Sequence, residues 1–131
     1  MTRKIKCNIF TPERVIYEGE ADFLVVQAFD GELGFLYNHT PLIAELGFGE
    51  ARLRTKERAD YFAIEGGFVE IRNNELIVLA EAAFRKEDLS REALQKQIAE
   101  TRGRAAGEEW DLFELEVELK KLKARLKVAS R

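Results

Sequence analysis

Few residues in this chain have the types and spacing needed for chemistry. His39 is the only histidine, Cys7 the only cysteine, and Ser90 and Ser130 the only serines. Nucleophilic hydrolysis needs a hydroxyl or thiol, a base within hydrogen-bond reach, and a group that orients the base. Both serines lie far along the chain from His39, in a compositionally different half, which argues against a small hydrolase. A metal centre needs several ligands, and no second histidine or cysteine pair accompanies His39. Followed by Thr40-Pro41, His39 reads as a loop residue bonding its own turn, and Glu32 as a solvated turn carboxylate. Gly66-Gly67 invites comparison with a phosphate cradle. Such a cradle requires a helix N-terminus directly behind the glycines, and neither GxxxxGK[ST] nor GxGxxG occurs. The pair reads instead as a β-bulge or as close backbone contact at a sandwich corner. Cys7 alternates with Ile5 and Ile9, which marks a buried thiol on a strand. A single cysteine allows no internal disulfide and fits a reducing compartment.

The elements that must position these residues change character near Phe84. Before it the pattern keeps returning to period two, the signature of strands with one buried face. Residues 4–9 alternate cleanly and end at Thr11-Pro12, because proline lacks the N–H that a ladder requires. Val15-Ile16-Tyr17 and residues 23–26 follow, separated by Gly19. Residues 29–36 read as two short strands around an Asp30-Gly31 turn. Arg52-Leu53-Arg54 and residues 61–64 come next. Residues 68–72 and 75–79 form the strongest local signal, a hairpin whose turn is Asn73-Asn74, since asparagine tolerates the positive φ of a tight turn. Several short strands at close spacing predict an antiparallel β-sandwich or barrel over residues 1–84.

Residues 85–131 contain two glycines and no proline, with apolar residues at helical spacing. A first helix, roughly 90–105, carries Leu89, Ala93, Leu94, Ile98 and Ala105 on a narrow face. Ser90 or Asp88 is placed to cap its start, Gly103 to weaken its last turn and Gly107 to end it. A second helix, roughly 109–129, places Leu112, Leu115, Leu119, Leu122 and Leu126 at alternating steps of three and four, one leucine seam. Glu108, Glu109, Asp111, Glu114, Glu116 and Glu118 fill its first half. Lys120, Lys121, Lys123, Arg125 and Lys127 fill its second, so both ends complement the macrodipole. Glu116 and Lys120 stand four apart in the favourable direction. Each seam leucine hidden from water contributes on the order of 1.5–3 kcal/mol. Two short helices alone do not hide a seam on all sides, so the hairpin is expected to lie on the sandwich, grip a partner, or alternate between them. The expected class is α+β in sequence order, a sandwich followed by an antiparallel two-helix hairpin.

Charge is nearly balanced, with 21 basic and 24 acidic residues for a net charge of −3. Neither half is basic enough to suggest nucleic acid as a partner. No apolar run approaches the roughly 18–20 residues that span a bilayer, and Met1-Thr2-Arg3-Lys4 lacks the apolar stretch of a signal peptide. A soluble protein without direct membrane insertion is expected.

With the residues in view, a resemblance becomes specific. Thr11-Pro12, the run Asp30-Gly31-Glu32-Leu33-Gly34-Phe35-Leu36 through Asn38-His39-Thr40-Pro41-Leu42, and Gly66-Gly67-Phe68-Val69-Glu70-Ile71 followed by Asn73-Asn74 resemble the epsilon subunit of rotary F-type ATP synthases. The likeness covers nearly the whole chain, ending with Leu126-Lys127-Val128-Ala129. Tyr37 stands where many relatives carry proline. The resemblance implies a non-catalytic central-stalk subunit without a cofactor, whose sandwich clamps the gamma shaft to the membrane ring of c subunits and turns with the rotor. It places Glu32 and His39 on the region that faces the ring's polar loops. In bacterial relatives the hairpin either folds on the sandwich or extends along gamma toward the catalytic alpha and beta subunits and inhibits ATP hydrolysis. The basic residues Lys120, Lys121, Lys123, Arg125 and Lys127 would then suit acidic catalytic-subunit loops. The implied location is peripheral, on the cytoplasmic face of a bacterial inner membrane, ahead of the stromal side of a plastid.

Some relatives bind ATP on the folded hairpin through an Ile/Leu-Asp-x-x-Arg-Ala motif. Here the matching residues are Leu89-Ser90-Arg91-Glu92-Ala93-Leu94, so Ser90 replaces the aspartate and Ala93 the arginine. The guanidinium that would pair with phosphate is missing, and weak or absent ATP binding is expected. The competing reading is a free-standing ligand-binding β-sandwich with a helical appendage.

Overall fold

The computed structural model describes residues 3–107 and 111–131 of the chain. Eight strands come first: β1 (Ile5–Phe10), β2 (Val15–Ala21), β3 (Phe23–Ala28), β4 (Gly31–Leu36), β5 (Leu42–Glu45), β6 (Phe48–Arg54), β7 (Ala59–Arg72) and β8 (Glu75–Arg85). A short 3-10 turn, Lys86–Asp88, leads to helices α1 (Arg91–Gly107) and α2 (Leu112–Ala129). The sandwich-then-hairpin class expected from the sequence is what the chain adopts. No described helix is long and apolar enough to cross a membrane.

The strands form one hydrogen-bonded path in the order β2-β1-β8-β7-β6-β3-β4, with β5 paired to β7. All pairings are antiparallel except β1 with β8, which run parallel from Lys6 opposite Glu75 to Phe10 opposite Leu79. A single path becomes a two-layered sandwich because β7 serves both layers. Its residues 59–65 pair with β6, and residues 68–71 pair with β5.

The change of layer happens at Gly66-Gly67. Before it, Phe62 and Ile64 belong to the core; after it, Val69 and Ile71 do. The inward-facing positions therefore switch from even to odd numbers. Strand β8 switches at the same level, with Leu76, Val78 and Ala80 inward and then Ala83. Across β5 and β6, Leu46 is followed by Ala51 and Leu53. Register is not lost: Glu65 faces Ala82 and Gly67 faces Ala80. No residue is inserted, so the expected bulge is absent and the alternative, close backbone contact at a corner, is what occurs. Gly66 and Gly67 have φ of 70° and 110°, left-handed values that side chains with a Cβ adopt poorly. A Cβ on Gly67 would lie 1.9 Å from the Leu79 carbonyl oxygen and 2.8 Å from the Ala80 Cα.

Other elements depart from expectation in detail. The strand from Phe23 runs to Ala28 because Val26 and Ala28 both stay buried, so the turn falls on Phe29-Asp30 and not on Asp30-Gly31. Strand β5 was not visible, being four residues long directly after Pro41. The Asn73-Asn74 turn is as expected, with φ of 52° and 61° and Arg72 facing Glu75. Cys7 is fully buried, and that burial pushes its thiol up to about 12.

Helix α1 begins where Ser90 Oγ accepts from the Ala93 N–H at 3.2 Å. Asp88, the other expected cap, instead pairs with Arg14 at 3.3 Å. Gly107 is the last residue of α1, as expected. Helix α2 starts at Leu112, capped by Asp111, whose carboxylate accepts from the N–H groups of Phe113 and Glu114. The expected start near 109 and the acids Glu108 and Glu109 lie outside the described residues.

Two measurements test this account. Gly67→Ala should lower stability by roughly 2–4 kcal/mol in urea unfolding, whereas Gly103→Ala, in an open helical position, should be neutral or stabilising by up to about 1 kcal/mol. Because the Cys7 thiol is raised from 9.0 to about 12, native protein at pH 8 should react with a thiol reagent about a thousandfold more slowly than urea-unfolded protein. The sign is that burial favours the neutral thiol, so its contribution to stability is complete below pH 9 and is lost as pH rises toward 12.

Candidate functional site

Two surfaces of the sandwich hold or receive the residues singled out by the sequence. The first is the loop between β4 and β5, which holds His39. Its main-chain N–H donates to Leu36 O at 3.1 Å, and its Nδ1 lies 2.6 Å from Thr40 O. A carbonyl only accepts, so Nδ1 carries the proton in this contact. The ring leans on Phe35, centroid to centroid 5.2 Å at 51°, and Phe35 is fully buried. His39 thus bonds its own turn, as expected, with one edge on the core. Glu32 is exposed on β4, on a strand and not in a turn, and forms a long ion pair of 3.7 Å with Arg52. Among the described residues no hydrogen bond joins Glu32 to His39.

The second surface is the outer face of the first half of β7 with its neighbours. Phe48, Glu65 and Ala82 form one cross-strand row, and Glu50, Ala63 and Phe84 the next. Helix α2 lies across β6 and β7 here. Arg125 grips Glu65 through two hydrogen bonds, Nε to Oε2 at 2.5 Å and Nη2 to Oε1 at 2.9 Å. The Glu65 side chain is only 4% exposed and that of Arg125 23%. The guanidinium also stacks 4.4 Å from the Phe84 ring centroid. Arg131 repeats the arrangement, with two bonds of 2.8 and 2.6 Å to Glu50 and its cation 4.9 Å from the Tyr61 ring. Glu50 hydrogen bonding and charge raise the pKa of Arg131 further. Lys121 sits 5.5 Å over Phe48. Arginine suits these positions because its planar fork matches a carboxylate while its face meets an aromatic ring.

The leucine seam points the other way. Leu122 is buried with Leu94 and Ile98 of α1, and Leu89, Leu119, Leu126 and Ala129 pack around them. Leu115 is half-buried, and Leu112 is 70% exposed beside Phe113 at 73%. The hairpin does lie on the sandwich, one of the expected arrangements, but not through its leucine seam. Helix α1 covers most of the seam, and the basic face of α2 meets the sheet, where opposite charges and aromatic faces receive it. Of the basic residues, Lys121 and Arg125 are engaged in this contact. Lys120, Lys123 and Lys127 line a cleft of about 620 Å³ between α2 and the sheet, opposite Glu45 and Glu81. Ser90 accepts from the Ala93 N–H, and Asp88, two residues earlier, pairs with Arg14.

Sequence reading missed the receiving residues Glu65, Glu50, Phe48, Tyr61 and Phe84. One signal was present: a glutamate inside the apolar run of β7, which needs a cationic partner if buried.

The fold is thus a β-sandwich that carries a two-helix hairpin latched to one of its faces by paired charges. Residues 4–86 match the family model described as ATP synthase, Delta/Epsilon chain, beta-sandwich domain. The ATP synthase epsilon chain of Leptospira interrogans is 38% identical over 128 residues, covering 98% of this chain and 97% of the relative. That of Halalkalibacterium halodurans is 39% identical over 127 residues, covering 95% and 96%. The chain belongs to the ATP synthase epsilon chain family. A chain in the cryo-EM structure of the Euglena gracilis mitochondrial ATP synthase shares the fold, with a TM-score of 0.84 at 18% identity over 100% of this chain and 84% of that one.

The latch is measurable. In a double-mutant cycle of Glu65→Ala and Arg125→Ala followed by hairpin proteolysis, the coupling between the two residues should be about 2 kcal/mol. A coupling near zero would show that the pair does not hold α2 on the sheet.

Proposed function

We propose that this chain is the epsilon subunit of a bacterial F-type ATP synthase rotor, a non-catalytic coupler between the gamma shaft and the c-ring whose hairpin restrains ATP hydrolysis. The observation that carries the reading is end-to-end similarity to epsilon chains, with the distinctive string of residues 31–42 folded into an ordered strand and loop. In this reading residues 1–84 are the coupling body and 85–131 the regulatory hairpin. Glu32 and the His39 loop meet polar loops of the ring. Side chains Ile43, Phe68 and Leu79, each more than half exposed, lie on neighbouring strands and offer the apolar face that a permanent partner covers, which we assign to the shaft. The assembly is peripheral, at the cytoplasmic face of the bacterial inner membrane.

Inhibition by this hairpin requires α2 to leave the sheet. Release frees Lys121 and Arg125 together with the cleft-lining lysines, and the whole basic row then faces acidic loops of the catalytic subunits. The helices keep their own leucine core during that movement, so the hairpin travels as a unit. Nucleotide binding is not part of the reading.

Ending the chain after Arg85 and assembling it into the complex should raise ATP hydrolysis while leaving assembly intact. Unchanged hydrolysis would remove the inhibitory role. Affinity capture of the full-length chain from membranes should bring down a coiled-coil shaft protein and the ring; capture of a lone monomer would instead favour the free-standing binding module.

A further inference from the structure

The loop that carries His39 has a definite shape because of bonds within itself: His39 N–H to Leu36 O, His39 Nδ1 to Thr40 O, and the ring on Phe35. None of those hydrogen bonds ties it to another part of the sheet. Asn38 and Asn74, 36 residues apart, do so. The Asn38 N–H donates to Asn74 Oδ1 at 2.6 Å, and Asn74 Nδ2 donates back to Asn38 Oδ1 at 3.3 Å. Both residues hold left-handed backbone, φ 63° at Asn38 and 61° at Asn74, which asparagine accepts more readily than most side chains. The Asn74 carbonyl meanwhile accepts from the Lys6 N–H at 2.9 Å. One residue therefore joins three elements: the β7–β8 turn through its backbone conformation, β1 through its carbonyl, and the β4–β5 loop through its amide. Among the described residues, Asn74 is the sole hydrogen-bonding partner of residues 37–41 outside their own neighbourhood.

We infer that Asn74 is the positioning residue of the His39 loop: its side-chain amide fixes where that loop stands at the end of the sandwich, and so presents the loop to a polar partner in one place. The consequence for coupling rests on the reading that this end meets the ring; the positioning itself does not. A partner loop that binds a pre-placed surface gains by not having to order it, and torque passes best through a contact that does not slide.

Two substitutions separate the side chain from the turn. Asn74→Gly keeps the left-handed turn and removes the amide. Asn74→Asp retains an acceptor for the Asn38 N–H, and the Asn38 amide can turn over to donate to the other carboxylate oxygen. Hydrogen exchange on the full-length protein should show the Asn38 amide exchanging about tenfold faster in Asn74→Gly, with the urea midpoint essentially unchanged, and returning toward the original rate in Asn74→Asp. In the complex assembled in inverted membrane vesicles, proton pumping per ATP hydrolysed should fall in Asn74→Gly and recover in Asn74→Asp. Unchanged Asn38 exchange in Asn74→Gly, or exchange that Asn74→Asp does not restore, would overturn the positioning role. Exchange that responds while pumping stays constant would uphold the positioning of the loop and overturn its part in coupling.

Discussion

Everything in this structure depends on the change of phase at Gly66-Gly67. An extended strand presents one set of side chains to the core and the other to the outside, and a strand as long as β7 would ordinarily do so from end to end. Two consecutive left-handed glycines let β7 reverse that assignment without losing its ladder to β8. One consequence is the sandwich itself, since the same strand closes both layers around Phe62, Ile64, Val69 and Ile71. The other is the floor beneath α2. Only because Phe62 and Ile64 point inward does Glu65 point outward, in line with Phe48 and Ala82. Core and docking surface are set by a single backbone event.

The second helix divides its work between two faces of different chemistry. Its leucines hold α1, and that cohesion is apolar and insensitive to salt. Its Arg125 and Lys121, with Arg131 just past the helix end, hold the sheet through charge-assisted hydrogen bonds and cation–aromatic contacts. A carboxylate as enclosed as Glu65 is tolerated in the docked state because Arg125 satisfies both of its oxygens. In an undocked chain both groups would return to water and regain their hydration. The net free energy of docking is therefore much smaller than the individual contacts suggest.

Much of this was readable in the residues, and what was not has identifiable causes. The alternation of Ile5, Cys7 and Ile9, the Asn73-Asn74 hairpin and the helix ended by Gly107 follow from local rules, and local rules suffice where an element is long and regular. Strand β5 escaped because four residues after a proline carry too little pattern. The phase reversal escaped because a period-two reading assumes that the period holds. The docking face of α2 escaped because lysine and arginine are ordinarily solvated; their stems nonetheless cover apolar surface while the charged head finds a partner. That partner, Glu65, lies 60 residues away, and Asn38 is as remote from Asn74 in its own way. Pairings of that kind belong to the tertiary fold, and no local rule anticipates them.

The lone parallel ladder has a consequence for how the chain is made. Strand β1 is made before its inner neighbour, β8, which begins about 70 residues later. At synthesis speeds of roughly 5–20 residues per second, β1 waits several seconds for that neighbour, paired on its other edge with β2. Throughout that interval the edge of β1 that β8 will occupy lacks its ladder partner, an exposed edge for which nascent-chain chaperones are the natural guard. The layer closes only as β8 emerges, so the hairpin that follows is delivered onto a body that has just finished folding.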